Sequence, residues 1–331
     1  MKISNMWIFI GIIVLIILFL FLFFFAGKKA LAENIHWGVN FSPKQASDLG
    51  LDPKEIYLNI LNDLKADNIR IAVHWDLIEK EKNVFDLSNI DFYINEANKK
   101  GIKIILAIGM KTPRWPEYHM PDWTMELSEE EQKEQILEMI SFVMNRYKDE
   151  PCLLSWQIEN EPFFNFGKAP WKDNDFIKKE VDLAKKIDDK HDIVITDSGE
   201  MSFWFKAAKL GDIVGITMYT KVWSDLLKKD FNYFLPAVFY GKKADLVELI
   251  FKKNVWCLEL QAEPWCEELI QDSSKEEQFH NMSLNRFKQN IEFAKATGLD
   301  TFYFWGVEWW YYMKDKNNEP SFLDEAKKLW N

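Results

Sequence analysis

Two glutamates that lie far apart in the chain each stand at the end of a run typical of a buried β-strand. Glu161 lies in Trp-Gln-Ile-Glu-Asn-Glu-Pro (residues 156–162), and Glu259 lies in Val-Trp-Cys-Leu-Glu-Leu-Gln (residues 255–261). Cleavage of a glycosidic bond uses two carboxyl groups that flank the bond, one to donate a proton and one to attack or to activate water. The two segments are therefore candidates for the two halves of one hydrolytic site.

Each of these glutamates has a rival on the same face of its strand. Side chains alternate along a strand, so Glu159 shares a face with Glu161, and Glu263 shares a face with Glu259. We predict Glu161 as the acid/base and Glu259 as the nucleophile. Glu259 belongs directly to the apolar strand, whereas Glu263 precedes a proline and is expected in a loop. Glu159 and Glu263 are the alternatives.

Polar residues in two other strand-like runs could support the nucleophile. Arg70 and His74 lie on one face of a run whose other face is apolar. A buried arginine needs an anionic partner, which a nucleophilic carboxylate would supply and which the arginine would keep ionised. A purely structural salt bridge is the alternative. Tyr219 ends another run and could donate a hydrogen bond to the nucleophile, unless it is an ordinary rim residue.

Aromatic residues near strand ends are candidates for contacts with a sugar ring. The chain has 15 tryptophans. Trp305 ends the last strand-like run, and we predict that it stacks on sugar, whereas Trp309 and Trp310 are predicted to pack in the core. The loop at residues 111–116 is long and aromatic, and it either lines a subsite or packs on the surface.

The elements that must position these residues alternate regularly between strand and helix. Amphipathic helices are predicted at residues 53–66, 89–100, 128–147, 175–190, 203–210, 281–297 and 321–330. Short apolar, β-branched or aromatic runs predict eight strands, at residues 35–41, 69–75, 103–109, 153–159, 193–197, 213–219, 255–260 and 301–305.

Eight such repeats predict a single (β/α)8 barrel domain over residues 33–331, with its chemistry at the carboxyl ends of the strands. An open doubly wound sheet is the alternative, but no glycine-rich phosphate loop follows any strand.

Charge and cysteine content exclude several classes of function. The net charge is −11 without a basic stripe, which excludes a nucleic-acid partner. The cysteines, Cys152, Cys257 and Cys266, form no metal-binding pattern. Cys152 and Cys257 lie in apolar strand-like runs and are predicted to be small core residues. The 5 histidines have no ligand spacing, so we expect neither a metal nor another cofactor.

The N-terminus is an uninterrupted apolar run over residues 6–26, long enough to span a bilayer as one helix. We predict that residues 1–32 form a membrane anchor and short linker, with the catalytic domain outside the cytoplasm. The alternative is a cleaved signal peptide and a secreted protein, because Ala-Leu-Ala at residues 30–32 resembles a cleavage site. Orientation is poorly fixed, since Lys2 opposes Lys28 and Lys29 across the run.

From about residue 35 to residue 330 the chain resembles the glycoside hydrolase clan A superfamily, (β/α)8 barrels that include families 5, 10, 39 and 42. Trp-Gln-Ile-Glu-Asn-Glu-Pro resembles the clan's fourth-strand motif, which implies Glu161 as acid/base and Asn160 as a ligand of the sugar 2-hydroxyl. Cys-Leu-Glu-Leu-Gln resembles the seventh-strand motif, which implies Glu259 as nucleophile. Further residues similar to those of the clan are Arg70, Tyr219 and Trp305. Cys-Leu before Glu259, and Gln-Ala-Glu-Pro-Trp after it, depart from the patterns of the major families.

The resemblance implies a retaining β-glycosidase that acts on an oligo- or polysaccharide. A transglycosylase would use the same residues. An inactive, membrane-tethered carbohydrate-binding barrel is the other alternative, although a binding protein has no need of both carboxylates. The sugar, the linkage and the oligomeric state are not defined by the sequence.

Overall fold

The computed structural model describes residues 3–330, with side chains from Trp7 to Trp330, and its main body is a closed parallel barrel. The strands are β1 (His36–Phe41), β2 (Asn68–Ala72), β3 (Lys103–Ile108), β4 (Leu153–Ile158), β5 (Asp192–Asp197), β6 (Ile213–Met218), β7 (Lys221–Ser224), β8 (Lys229–Asn232), β9 (Asn254–Gln261) and β10 (Thr301–Trp305). Around the barrel the order is β1-β10-β9-β6-β5-β4-β3-β2, whereas β7 and β8 form a separate antiparallel hairpin. The predicted (β/α)8 barrel is confirmed, and the open sheet is excluded.

The first helix precedes the first strand, and the later helices lie between or after the strands, where most of them cover the outside of the sheet. They are α1 (Ile3–Phe25), α2 (Pro43–Asp48), α3 (Pro53–Asn59), α4 (Trp75–Ile78), α5 (Ser88–Lys100), α6 (Glu129–Tyr147), α7 (Asn174–Ile187), α8 (Phe205–Leu210), α9 (Ala237–Phe251), α10 (Lys275–Asn281), α11 (Leu284–Lys295), α12 (Val307–Asn317) and α13 (Ser321–Lys327).

Local sequence signals explain where these helices begin. Ser128 starts α6 with a capping box, in which its side chain and that of Glu131 satisfy each other's backbone N–H groups. The single helix predicted at residues 281–297 is instead two helices, α10 and α11. Ser283 caps the second one by accepting a hydrogen bond from the N–H of Arg286. The cap therefore separates two helices that the apolar pattern joins.

The core lies inside the barrel and between the barrel and its helices. Trp309 and Trp310 are fully buried, in agreement with the predicted core packing. The three cysteines are buried and free, and Cys152 and Cys257 belong to the core, as predicted.

The strand register sets which side chains meet inside the barrel. Asn40 of β1 lies beside Arg70 of β2, and Thr217 of β6 lies beside Glu259 of β9. Because parallel strands present their carboxyl ends at the same side of the barrel, polar residues near those ends converge there.

Helix α1 precedes the barrel, and its last turn packs on α9. Its segment Trp7–Phe25 has 19 residues and a mean hydropathy of 3.5, enough in length and composition to cross a membrane. The side chains of residues 7–22 are all exposed in the protein. A signal sequence would have the same properties.

Candidate active site

Glu259 is held on both of its carboxylate oxygens. It projects from β9 and is 5% exposed. Its Oε1 accepts a hydrogen bond from Arg70 Nη1 at 2.9 Å, and its Oε2 accepts one from the Tyr219 hydroxyl at 2.8 Å. A buried carboxylate is costly unless it is paired and hydrogen-bonded, and here both conditions are met.

The Arg70 guanidinium is the centre of this network. Its Nη1 also donates to Asn40 Oδ1 at 2.8 Å, its Nε donates to Gln157 Oε1 at 2.7 Å, and its Nη2 donates to Asn160 Oδ1 at 2.8 Å. Arg70 itself is 1% exposed. Partners from several strands thus hold the planar guanidinium group in one orientation, which fixes the position of the Glu259 carboxylate.

Glu161 lies just beyond β4 and enters the site because the backbone turns sharply. Glu159 and Glu161 have left-handed φ values of 57° and 42°, which are uncommon outside glycine and are held only by surrounding structure. The Glu161 N–H donates to Thr196 Oγ1 at 2.7 Å, and Lys111 Nζ donates to the Glu161 carbonyl at 3.0 Å. The Glu161 carboxyl accepts from the Thr217 hydroxyl at 3.5 Å.

The surroundings of Glu161 favour its protonated form. Burial raises the pKa of this carboxyl well above its ordinary value, and the negative charge of Glu259 raises it further. Lys111 opposes the shift without reversing it. Glu259, which accepts from cationic and hydroxyl donors, therefore raises the pKa of a second buried carboxyl, that of Glu161.

The side chain of Glu159 points elsewhere. Its oxygens accept from the backbone N–H groups of Met110 and Lys111, each at 2.7 Å, in the loop that follows β3. Burial raises the pKa of Glu159 to about 7, despite those hydrogen bonds. The left-handed residues after β4 break the simple alternation that placed Glu159 and Glu161 on one face. Glu159 thus connects the segment after β4 to the loop after β3.

Glu263 is engaged in a different ion pair. Both of its oxygens accept from the guanidinium of Arg114, which also donates to Glu308 at 3.2 Å. The same guanidinium lies 4.1 Å from the ring centroid of Trp305. Glu263 therefore neutralises an arginine from the loop after β3, while Glu259 pairs with Arg70.

Loops from different sides of the barrel meet over this site. The ring of Phe166, after β4, lies 5.9 Å from that of Trp115 and 5.7 Å from that of Trp265. Trp265 in turn contacts Tyr219 at 5.1 Å, edge to face. A cavity of about 10 Å³ is lined in part by Arg70, Arg114 and Trp305. Trp115, in the loop at residues 111–116, thus forms part of an aromatic wall beside the carboxyls.

Glu117 also belongs to the site, although it is not among the residues predicted from the sequence. Its Oε2 accepts from Asn160 Nδ2 at 2.8 Å, and the residue is 6% exposed. Burial and the charge of Glu259 raise its pKa to about 7, against the opposing charge of Lys111. Glu117 lies well past the end of β3, so no strand-end pattern marks it.

His74 lies outside the Glu259 network. The second strand ends at Ala72, so His74 lies beyond it as the N-cap residue of α4, where its Nε2 contacts Pro113 O at 3.1 Å. Its ring stacks on His119 with centroids 3.9 Å apart and planes 4° apart. Burial and His119 lower the pKa of His74 to about 3, so it is neutral.

The same two histidines and Asp76 are the cluster of possible metal ligands among residues 3–330, with donor atoms within 4.8 Å of one another. A metal bound to an imidazole nitrogen lies near the plane of that ring. Two stacked, parallel rings cannot both meet this condition for one ion. The arrangement fits a packed histidine pair better than a metal centre.

Loss of the buried Arg70–Glu259 pair should destabilise the protein far more than loss of an exposed ion pair. Arg70→Leu should destabilise the protein by about 3–5 kcal/mol, because it leaves a buried carboxylate without its counter-charge. Arg146→Leu, which breaks the exposed Arg146–Asp91 pair, should cost no more than about 1 kcal/mol. Urea unfolding of both variants measures the difference. Equal losses in the two variants would contradict the importance of the buried pair.

Comparison with a curated protein gives a partial match. A segment of 120 residues is 28% identical to a probable mannan endo-1,4-β-mannosidase A-1 of Aspergillus terreus. The match covers 34% of this chain and 31% of that protein. The chain therefore matches about a third of that relative's length.

Solved structures share the fold at low identity. GH5_18 from Streptomyces cattleya, in complex with GlcNAc, superposes with a TM-score of 0.59 at 12% identity, covering 83% of this chain and 71% of that one. The endo-1,4-β-mannanase of Rhizomucor miehei superposes with a TM-score of 0.52 at 16% identity, covering 84% and 89%. At such identities the likeness shows the barrel fold alone.

A family model identifies the group to which the barrel belongs. The model for cellulase, glycosyl hydrolase family 5, matches residues 35–232, which is more than half of the chain. The resemblance to clan A is thereby confirmed and narrowed to one of its families. The chain belongs to glycosyl hydrolase family 5.

Proposed function

We propose that this protein is a retaining β-glycosidase that hydrolyses O-glycosidic bonds of a β-linked glycan by double displacement. The observation that carries the proposal is the contrast between two buried carboxyls. Glu259 accepts hydrogen bonds from Arg70 and Tyr219, while burial and the charge of Glu259 raise the pKa of Glu161. Groups with opposite protonation states on either side of one bond are what the reaction needs.

In the first step Glu259 attacks the anomeric carbon, and the bond to the leaving oxygen breaks. Arg70 and Tyr219 keep the attacking carboxylate ionised and oriented. Glu161 transfers its proton to the leaving oxygen, which departs as an alcohol. The sugar is then bound to Glu259 as an ester, and Glu161 is ionised.

In the second step Glu161 becomes the base. Formation of the ester removes the negative charge of Glu259, which is one of the causes of the raised pKa of Glu161. Glu161 takes a proton from a water molecule, whose oxygen attacks the anomeric carbon and releases Glu259. Two inversions give a product with retained configuration.

Asn160 and Trp305 are our candidates for binding the sugar. Asn160 Nδ2 carries two hydrogens, of which one is donated to Glu117. The other is available for a sugar 2-hydroxyl. The face of Trp305 that Arg114 covers is an aromatic platform of the kind that sugar rings stack on. Arg114 would have to leave that face for a sugar to stack there. We assign His74 no contact with substrate.

The partial likeness to a mannosidase makes β-mannosides the first substrates to test, alongside β-glucosides and β-galactosides. We further propose that residues 1–32 anchor the domain formed by residues 33–331 to a membrane, on its extracytoplasmic side. A cleaved signal peptide would instead give a secreted enzyme of the same activity.

Replacement of the acid/base should impair the reaction unevenly. Glu161→Ala should lower hydrolysis of natural glycans by about 100-fold or more, because their leaving groups need protonation. It should largely spare the first step on activated aryl β-glycosides, which leave without help. Azide, which needs no base, should restore turnover and give a β-glycosyl azide, as product analysis can establish.

Glu159→Gln is the matched control for this variant, because Glu159 faces the third loop. In this variant the rate of hydrolysis should depend on the leaving group as it does in the unmodified protein. Azide should not raise its turnover. Unimpaired hydrolysis of natural glycans by Glu161→Ala would contradict the assignment. If the unmodified protein hydrolyses no aryl β-mannoside, β-glucoside or β-galactoside, the alternative of an inactive carbohydrate-binding barrel is favoured.

The raised pKa of Glu161 also predicts the alkaline limb of the pH profile. Glu161 acts as an acid only while it holds its proton, so kcat/KM should fall as the pH rises through this pKa, above the range of an ordinary carboxyl. Glu161→Ala, assayed with an activated aryl glycoside that it can still cleave, should show no such fall of kcat/KM at high pH.

Glu117 provides the control, because its pKa of about 7 lies in the same range. Glu117→Gln should keep the alkaline limb, although its position can move when a neighbouring charge is lost. Disappearance of the limb in Glu117→Gln would instead assign it to Glu117 and contradict the proposed acid.

A further inference from the structure

We infer that the β7–β8 hairpin tip and Phe234 form a surface that contacts a lipid bilayer beside the N-terminal helix. This membrane-facing surface consists of Leu226, Leu227 and Phe234, with Lys228 and Lys229 next to the two leucines. The inference depends on α1 crossing a membrane and is independent of the chemistry at the carboxyls.

The end of α1 packs on one particular helix of the barrel. The rings of Phe24 and Phe25 lie 6.0 and 5.5 Å from that of Phe239, and Lys242 Nζ lies 5.2 Å from the ring of Phe23. Phe239 and Lys242 belong to the first half of α9. If α1 spans a bilayer, the first turns of α9 therefore lie at its surface.

The segment after α1 is fixed against the barrel and does not act as a free tether. Lys29 Nζ forms an ion pair with Asp245 of α9 at 2.6 Å. A Cβ at Gly241 would lie 2.6 Å from Lys29 Cγ, and one at Gly298 would lie 2.8 Å from the carbonyl of Ala30. These close approaches set the orientation of the barrel relative to α1.

Exposed apolar side chains lie on the loop that leads into α9. Phe234 is 88% exposed, and it precedes Phe239 by five residues, so their Cα atoms are at most about 18 Å apart. Leu226 is 92% exposed and Leu227 is 48% exposed at the tip of the hairpin in the same loop. Three exposed apolar side chains thus lie within nine residues of one loop, and such clusters mark surfaces that contact a protein or a membrane.

The composition of this loop fits a bilayer surface. Leucine and phenylalanine enter the boundary between headgroups and acyl chains, while lysine stems allow their ammonium groups to reach the headgroups. Lys228 and Lys229 stand directly beside the two leucines, and Lys228 also forms an exposed ion pair with Asp225 at 3.3 Å. The nearest apolar phase is the one that holds α1, whose last turn is already in contact with α9.

The location of this surface has a consequence for access to the site. The loop begins immediately after β6, where the Tyr219 hydroxyl contacts Glu259. A bilayer contact along this loop brings the mouth of the barrel close to the lipid surface. Glycans held at that surface would then be presented directly to the carboxyls.

The test uses the full-length protein reconstituted in phosphatidylcholine vesicles that contain lipids with nitroxide-labelled acyl chains. Single cysteines at Leu226 or Phe234 carry an environment-sensitive fluorophore, and the native cysteines are buried. We expect quenching by the labelled lipid about twofold or more stronger at these positions than at Val84→Cys. Val84 is a matched control, because it is 59% exposed and follows β2, opposite β6 in the barrel.

Quenching at Leu226 and Phe234 no stronger than at Val84 would overturn the inference. Loss of the protein from the vesicles in a carbonate wash would also overturn it, since α1 would then not be inserted. Neither result depends on turnover, so a failure of this surface is distinguishable from a failure of the proposed glycosidase activity.

Discussion

The buried pair of Arg70 and Glu259 is the interaction on which the site depends. Neither charge is tolerable alone at this depth, and together they require partners for every remaining donor. Asn40 and Gln157 supply those partners from other strands, and Asn160 supplies one from just beyond β4. A closed barrel provides this convergence, because its parallel strands bring their carboxyl ends to one face. The same contacts that stabilise the core therefore fix the carboxylate in position.

Buried acids dominate this face of the barrel, and their partners determine what each can do. Glu259 pairs with Arg70 and Glu263 pairs with Arg114. Burial raises the pKa of Glu117 to about 7, and it does the same for Glu308 although Arg114 also contacts that carboxyl. Glu161 has no arginine partner among the described residues, and it lies under the influence of the negative Glu259. The buried carboxyls thus differ in their cationic partners and in how far burial raises their pKa.

The sequence predicted the barrel and most of the strand-end residues, because both follow from short-range patterns. Apolar runs alternate with amphipathic ones, and Arg70 and Glu259 are conspicuous as charges in apolar strands. His74 was less accessible to this reasoning, since its strand ends earlier than its apolar pattern. The different directions of Glu159 and Glu161 depend on left-handed backbone conformations that alternation cannot anticipate. Glu117 and Arg114 are brought to the site by the fold of a long loop, so their roles emerge only in three dimensions.

The most direct test of the central claim is to identify the residue that becomes covalently attached to the sugar. A 2-fluoro β-glycoside with a good leaving group should slow the second step and accumulate the ester. Peptide mass mapping of the trapped protein should locate the sugar on Glu259, within the segment Asn254–Gln261. A label on Glu263 would contradict the assignment of the nucleophile. Release of a product of inverted configuration, with no covalent adduct, would contradict the retaining mechanism itself.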